Sequence, residues 1–448
     1  MKAFYSDALQ LCRCRKRKLA LLPLSIGLSL LVLSACSSNE GEGTGVPNSP
    51  APSNEPLTLS VYQYSAKMTD EEFQELVVKP VKLKYPHITL ELVREGKGSA
   101  PQDLVAADSM PDIIYTGSAG AATIVNLNAA LDLNDLIKRT NLDPGKFDPT
   151  AIQFIKGYIP NGQMLALPYS LNFSALYYNK DIFDKFGLGY PKDGMMWDEA
   201  IELTKKVTRE TDGTKFKGLD IDGGYQRFGE QLSLPIVDSK SLRAKLQTDG
   251  WKTVLEMYKR IKEIPGNTDE KAAVASFEQD RNLAMLAGLG ARLGELEELH
   301  NLGKPMNWDM AAMPTFAETP NNAFGISLFL LMVSSKSKHP QEAFQVVKLL
   351  LEEPSQIALN KRGRLTSLKD PQLRPYFGEG LNSFKGKNKE AVNKKVPAPL
   401  PPITLYDNIA RNELNKAVAR TVNENVNANT TLREAEEKAN QLIETEKK

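Results

Sequence analysis

Groups able to make or break bonds are few in this chain, and their spacing is poor. His87, His300 and His339 stand far apart, with no two in the i, i+4 arrangement that lets imidazoles share a metal on a helix face. The carboxylate pairs Asp198-Glu199 and Glu297-Glu298 are adjacent, so on a helix their side chains diverge, whereas a glycosidase needs two carboxyls about 5 to 9.5 Å apart across a cleft. No Gly-x-Ser-x-Gly elbow occurs. Gly288-Leu-Gly290-Ala-Arg-Leu-Gly294 has one residue too many for a dinucleotide loop, and Asp220-Ile-Asp222-Gly223 lacks the distal glutamate of a calcium loop, so both read as turns. No metal, cofactor or catalytic constellation is expected. Recognition chemistry remains: Gly223-Gly-Tyr-Gln-Arg-Phe228 is a glycine-hinged loop with two aromatics and an arginine. Arg292, at a helix start, has a guanidinium that can grip hydroxyls or a carboxylate bidentately, or pair with Glu295 or Glu297.

The chain that must position these groups has 448 residues, 41% of them hydrophobic, enough for about three units or two large ones. Its 56 basic and 55 acidic residues nearly cancel, which gives no electrostatic reason to seek nucleic acid. The basic residues cluster at the front, where Lys2, Arg13, Arg15, Lys16, Arg17 and Lys18 precede the apolar run Leu19 to Leu33, shorter than the roughly 20 residues of a membrane span. Residues 1–35 are expected to be a signal peptide. Leu33-Ser34-Ala35-Cys36 resembles a bacterial lipobox, which makes Cys36 the expected lipid anchor, and residues 36–56 form a Gly, Pro and Ser-rich tether. Losing six basic residues and one acidic residue with the signal takes the formal charge from +1 to −4. Cys12 and Cys14 would leave too, so no disulfide is available and stability must come from packing.

From Leu57 the pattern is that of a folded domain. Leu57 to Tyr64 alternates like a strand, Thr69 and Glu72 form a capping box opening a helix towards Lys84, and His87 to Val93 alternates again. After a short helix around Asp103 to Ser109 comes the strand Pro111 to Thr116, giving an α/β lobe with parallel strands. Ligands of such sheets sit outside the carboxyl ends of the strands. Further strands are expected at 165–169, 175–179, 283–289 and 326–333, with a largely helical stretch from Leu405 to Glu446.

Several segments resemble one family, the extracellular solute-binding proteins of ABC importers with maltose-type members: PDIIYTG at 111–117, ALPYSLNFSALYYNKDIFDKFGL at 166–188, WDEAIELTKKVT at 197–208, FEQDRNLAMLAG at 277–288, WDMAAMP at 308–314 and the stretch 334–367. The resemblance implies a two-lobed periplasmic-binding-protein-like α/β fold with an interlobe cleft. It places residues 57–170 and 325–353 in an N-terminal lobe and 171–324 and 354–448 in a C-terminal lobe, with crossings near Tyr169 to Ser174, Asn322 to Ile326 and Glu352 to Ser355. It also implies a monomeric lipid-anchored receptor at the extracytoplasmic face of the cell membrane that passes a small solute, in particular a carbohydrate, to permease subunits. A cell-surface glycan-processing enzyme and a non-transporting sensor or adhesion lipoprotein are the alternatives.

By position in these motifs, Tyr64, Ser118, Tyr169, Asn172, Tyr225, Arg227, Arg292 and Asn322 are the candidate ligand-binding residues. Ala291 stands where the family often carries a stacking tryptophan. Trp197 and Trp308 lie in motifs that usually pack structurally, and Trp251 reads as helix packing. Neutral oligosaccharides, acidic saccharides and peptide-like or polyol solutes all stay open.

Overall fold

The computed structural model describes residues 55–447 except 159–161, 269, 270 and 403. The expected signal peptide, most of the expected tether and Cys36 therefore lie outside the described residues. No described helix is long and apolar enough to cross a membrane.

Two principal sheets are built from β1 (Leu57–Tyr64), β2 (Ile88–Arg94), β3 (Ile113–Gly117), β4 (Leu167–Asn172), β5 (Ser174–Asn179), β6 (Arg209–Thr211), β7 (Thr214–Ile221), β8 (Leu283–Leu289), β9 (Trp308–Ala312), β10 (Ser327–Val333) and β11 (Leu365–Thr366). The first has the order β11-β4-β10-β3-β1-β2 and the second β9-β5-β8-β7-β6. Strands β2, β1 and β3 run parallel, with Leu57 beside Ile88 and Val61 beside Ile113, as the alternating segments foretold. Returning β10 is antiparallel to β3 and β4, because it re-enters the first sheet from the other lobe. The fold is α/β in two lobes.

Each sheet has its own apolar core. Leu59, Ile114, Leu167, Leu328 and Phe344 belong to the first. Trp197, Trp251, Leu255 and Met285 fill one side of the second sheet, and Tyr177, Trp308 and Phe384 the other. The three tryptophans are each at most 2% exposed, as their motif contexts suggested. Thr69 and Glu72 form the capping box. The helix they open passes through a π turn at Gln74–Val78, next to Pro80, whose missing N–H an unbroken α ladder would not accommodate.

The chain passes between the sheets at Phe173, between β4 and β5, and again at Ile326, just before β10. The third passage comes later than Glu352 to Ser355. Leu359 packs in the first core and β11 pairs with β4, Leu365 beside Leu171, so residues 354–366 stay with the first lobe and the second is rejoined by Phe377 and Phe384. The short strand β11 carries only two residues of β pattern, too few to show in a sequence reading.

A buried ion pair anchors this last segment. Arg364 donates through Nε to Glu72 at 2.7 Å and through a terminal nitrogen at 2.8 Å, and also reaches the Lys67 carbonyl at 2.7 Å. Burial pushes the Glu72 carboxyl up, but the guanidinium and the Thr69 backbone N–H outweigh it and hold it below the usual carboxylate range. A carboxyl lowered by folding adds stability above its unfolded-state titration that is lost as the pH falls through its folded one. Arg364→Met, which strands a buried carboxylate, should cost about 3 to 5 kcal/mol in urea unfolding followed by circular dichroism, with part of the loss recovered in Glu72→Gln/Arg364→Met.

Candidate functional site

Where the carboxyl ends of β1, β3, β7 and β8 converge, residues of both lobes line an open cavity of about 530 Å³. The first lobe contributes Gln63, Arg94, Glu95 and Asn172 among others, and the second Asp222, Arg227 and Arg292. A second cavity of about 890 Å³ adjoins it, sharing Ser118, Ala119, Arg227 and Ser327, so Arg227 stands at the junction. The larger space has more apolar walls, with Leu234, Leu242, Trp251 and Leu405.

The positions follow from local structure. Gln63 and Arg94 end two neighbouring parallel strands and are register partners, which puts both at the sheet's carboxyl edge. Ser118 and Arg292 begin helices Ser118–Asn126 and Arg292–Asn301, whose N-termini present partial positive charge at the wall. Ser118 Oγ accepts from the Leu328 N–H at 2.7 Å, tying the first of these helices to β10. Arg227 is held by the turn before it: its Nε donates to the Asp222 carbonyl at 3.2 Å and its terminal nitrogen to Glu230 at 2.9 Å. Gly223 in that turn has φ of 93°, and a Cβ there would stand 2.7 Å from Arg227 Nε.

Arg292 is 8% exposed and donates to Glu278 at 3.1 Å, while also pairing with Glu295. Its Nε is buried with no hydrogen-bond partner among the described residues, and the residue lines the smaller cavity. Burial would lower the guanidinium's affinity for its proton, yet Glu295 and Glu278 raise it above its ordinary value. Glu278 is pushed up to about 8, first by burial and then by Glu295. The surface pairing that sequence suggested for Arg292 is instead a buried cluster, and Glu297 takes no part: it accepts from the Asn382 and Ser383 N–H groups.

Of the eight candidate residues, Ser118, Asn172, Arg227 and Arg292 are brought together on the smaller cavity's wall. The other four lie off both cavities. Tyr169 is in the first core, its ring edge-on to Tyr115 at 5.9 Å, because β4 runs buried through the sheet. Tyr225 faces the second core, and its hydroxyl donates to Asn415 at 2.6 Å. Tyr64 stacks on Tyr62 at 5.8 Å, and Asn322 donates to the Gln231 carbonyl at 3.2 Å. Gln63, Arg94, Glu95 and Asp222 were missed. The strand-end rule could have found the first two, while Asp222 was visible only inside a calcium-loop fragment read as a turn, of which Asp220 and Ile221 end β7 and Asp222 and Gly223 form the turn. Among the described residues no group of three or more His, Cys, Asp or Glu could hold a metal.

Residues 65–357 match the description "Bacterial extracellular solute-binding protein". The chain belongs to that family. Its members are binding proteins rather than enzymes and act outside the cytoplasm. Among curated relatives, sn-glycerol-3-phosphate-binding periplasmic protein UgpB of Rhizobium meliloti (strain 1021) is 31% identical over 130 residues, 27% of this chain and 29% of that protein. The chain thus spans under a third of the length of that relative. A binding protein of Brucella abortus (strain 2308) is 24% identical over 66% of this chain and 72% of its own length. Among solved structures, an ABC substrate-binding protein of Listeria monocytogenes in complex with cycloalternan superposes with a TM-score of 0.69 at 17% identity, over 86% of this chain and 98% of that one. The maltose/maltodextrin-binding domain of Bdellovibrio bacteriovorus bound to maltotriose does so with 0.66 at 16%, over 87% and 100%. At those identities the likeness concerns the fold.

Gly223→Ala would force a side chain into left-handed backbone and against the arginine. It should lower stability by roughly 1 to 3 kcal/mol, read as a lower urea midpoint with an unchanged slope.

Proposed function

We propose that the chain is a lipid-anchored receptor that captures a carbohydrate between its lobes and presents it to the membrane subunits of an ABC importer. The observation that carries this is the composition of the smaller cavity's wall. Planar side chains with donors and acceptors, Gln63, Arg94, Glu95 and Asn172 from one lobe and Asp222, Arg227 and Arg292 from the other, suit a solute whose hydroxyls each donate and accept. A ligand touching both sets is worth more to the lobes together than apart, which favours closure. The Listeria protein, in complex with cycloalternan, and the Bdellovibrio domain, bound to maltotriose, support a saccharide.

A polyol phosphate is the second reading. Lys67, Arg94, Arg227 and Arg292 on the wall outnumber Glu95 and Asp222, and the UgpB relative is named for sn-glycerol 3-phosphate. Membrane attachment rests on Cys36 in its lipobox context, and the permease as partner on family membership.

The test is a thermal-shift panel of mono- and oligosaccharides, uronates and sn-glycerol 3-phosphate on the full chain. A solute at 100 times its Kd adds about 2.7 kcal/mol to stability. A saccharide is expected to shift the melt, Asp222→Asn and Arg227→Ala to abolish the shift, and Tyr225→Phe, which faces the core, to keep it. A shift with sn-glycerol 3-phosphate alone selects the second reading, and no shift at millimolar concentration with any member overturns both.

A further inference from the structure

The larger cavity is built unlike the smaller one. Ala119, Ala122 and Val125, on successive turns of helix Ser118–Asn126, line it from the first lobe. From the second lobe come Leu234, Ile236 and Leu242, on the loop that follows helix Gln226–Gln231. Trp251 Nε1 donates to the Pro235 carbonyl at 3.0 Å and so holds that loop, and Gly229 lets the indole approach, since a Cβ there would stand 2.5 Å from the ring. Leu400 packs against Gly325, where a Cβ would come within 2.4 Å of it, and this fixes the segment that carries Leu405. Leu242 is 36% and Leu405 82% exposed, so two segments far apart in sequence leave large aliphatic side chains open to water on one wall. Covering them would be favourable.

This wall does not suit a second sugar ring, which packs its apolar side on a flat aromatic face. Among the described residues that line it the aromatics are Trp251, 2% exposed, and Tyr406, whose ring has the Lys447 ammonium 5.7 Å from its centre. Nor does it call for a charge. Arg227 is paired with Glu230 at 2.9 Å, and Asp407 accepts from the Thr404 hydroxyl at 2.6 Å and N–H at 3.1 Å, with Arg411 acting on it. Lys156 and Asn126 are exposed residues of the rim. At about 890 Å³ the space lies within the roughly 300 to 1,000 Å³ of a whole ligand site, so a solute confined to the smaller cavity would leave a site's worth of aliphatic wall unused. We propose that the receptor's solute is an amphiphile, with a hydroxyl-bearing head in the smaller cavity and an uncharged aliphatic part along the larger. This rests on the reading of the chain as a receptor that holds its solute between the lobes. Ser118, Ala119, Arg227 and Ser327 belong to both cavities, so one molecule can extend from the polar space into the apolar one past Arg227.

Titration calorimetry of the full chain tests this with methyl, butyl, hexyl and octyl β-D-glucoside and, as a second head, glycerol and its 1-O-butyl, hexyl and octyl ethers, all below their micelle concentrations. In at least one series each methylene that enters the larger cavity should tighten Kd by about twofold to fourfold. The heat-capacity change of binding should grow more negative along the same series. Leu242→Asp and Leu405→Asp, each at a side chain already open to water, should flatten both trends, whereas Leu83→Asp, 80% exposed and off both cavities, should keep them. No binding by any member, a Kd that ignores chain length, or trends that survive in both cavity variants overturns the proposal. A plain saccharide that shifts the melt while chain length adds nothing sinks this inference alone and leaves the receptor reading standing. A chain-length trend without any such shift keeps the amphiphile and removes the plain saccharide.

Discussion

The bidentate pair of Arg364 with Glu72 is the contact on which the rest of the arrangement turns. Taking both charges out of water costs several kcal/mol per ion, repaid only by good geometry and by partners for the remaining donors. Those partners are present: the Lys67 carbonyl at 2.7 Å, the Tyr115 hydroxyl at 3.3 Å, and the Phe329 ring 5.0 Å from the guanidinium. Two of these partners reach the cleft. Phe329 lines its wall, Lys67 faces the other lobe, and Arg364 itself immediately precedes β11, the last piece of the first sheet before the chain leaves it. A single ion pair thus sets the exit of the third connection and the stance of the residues beside it.

The connections explain why two cores can share one site. Phe173 is a single residue between β4 and β5, strands of different sheets, and Ile326 directly precedes β10, so few backbone dihedrals link the lobes at these two passages. Phe173 is itself held, edge-on to Phe377 at 5.6 Å, by an aromatic from the segment that rejoins the second lobe after β11. The strand pairing of each lobe stays within its own sheet, and the polar contacts between lobes are made by side chains such as Asn301 with Glu71.

Much of the fold was readable in the order of residues, and the reasons are local. The alternation of Leu57 to Tyr64 and of His87 to Val93 and the Thr69–Glu72 box are short-range signals, and each appears where it was expected. The boundary near residue 354 was misplaced because only pairing with β4, about 190 positions upstream, keeps Leu365 in the first sheet. Half the candidate ligand residues lie off the cleft for a similar reason. An aromatic beside a strand end can face either side, and Tyr225 turns inward because Asn415, on a helix far along the chain, offers its carbonyl oxygen. Glu278 carried no signal, since nothing nearby in sequence announces that it will meet Arg292.

One further consequence comes from where the indoles fell. Trp197, Trp251 and Trp308 are all the tryptophans the chain possesses, and every one is buried in the second lobe's cores. Light absorbed at the red edge of the indole band is therefore blind to the first lobe. Should that lobe melt by itself, emission would scarcely change while ellipticity fell, and the gap between the two curves would reveal how far the halves of the molecule hold together on their own.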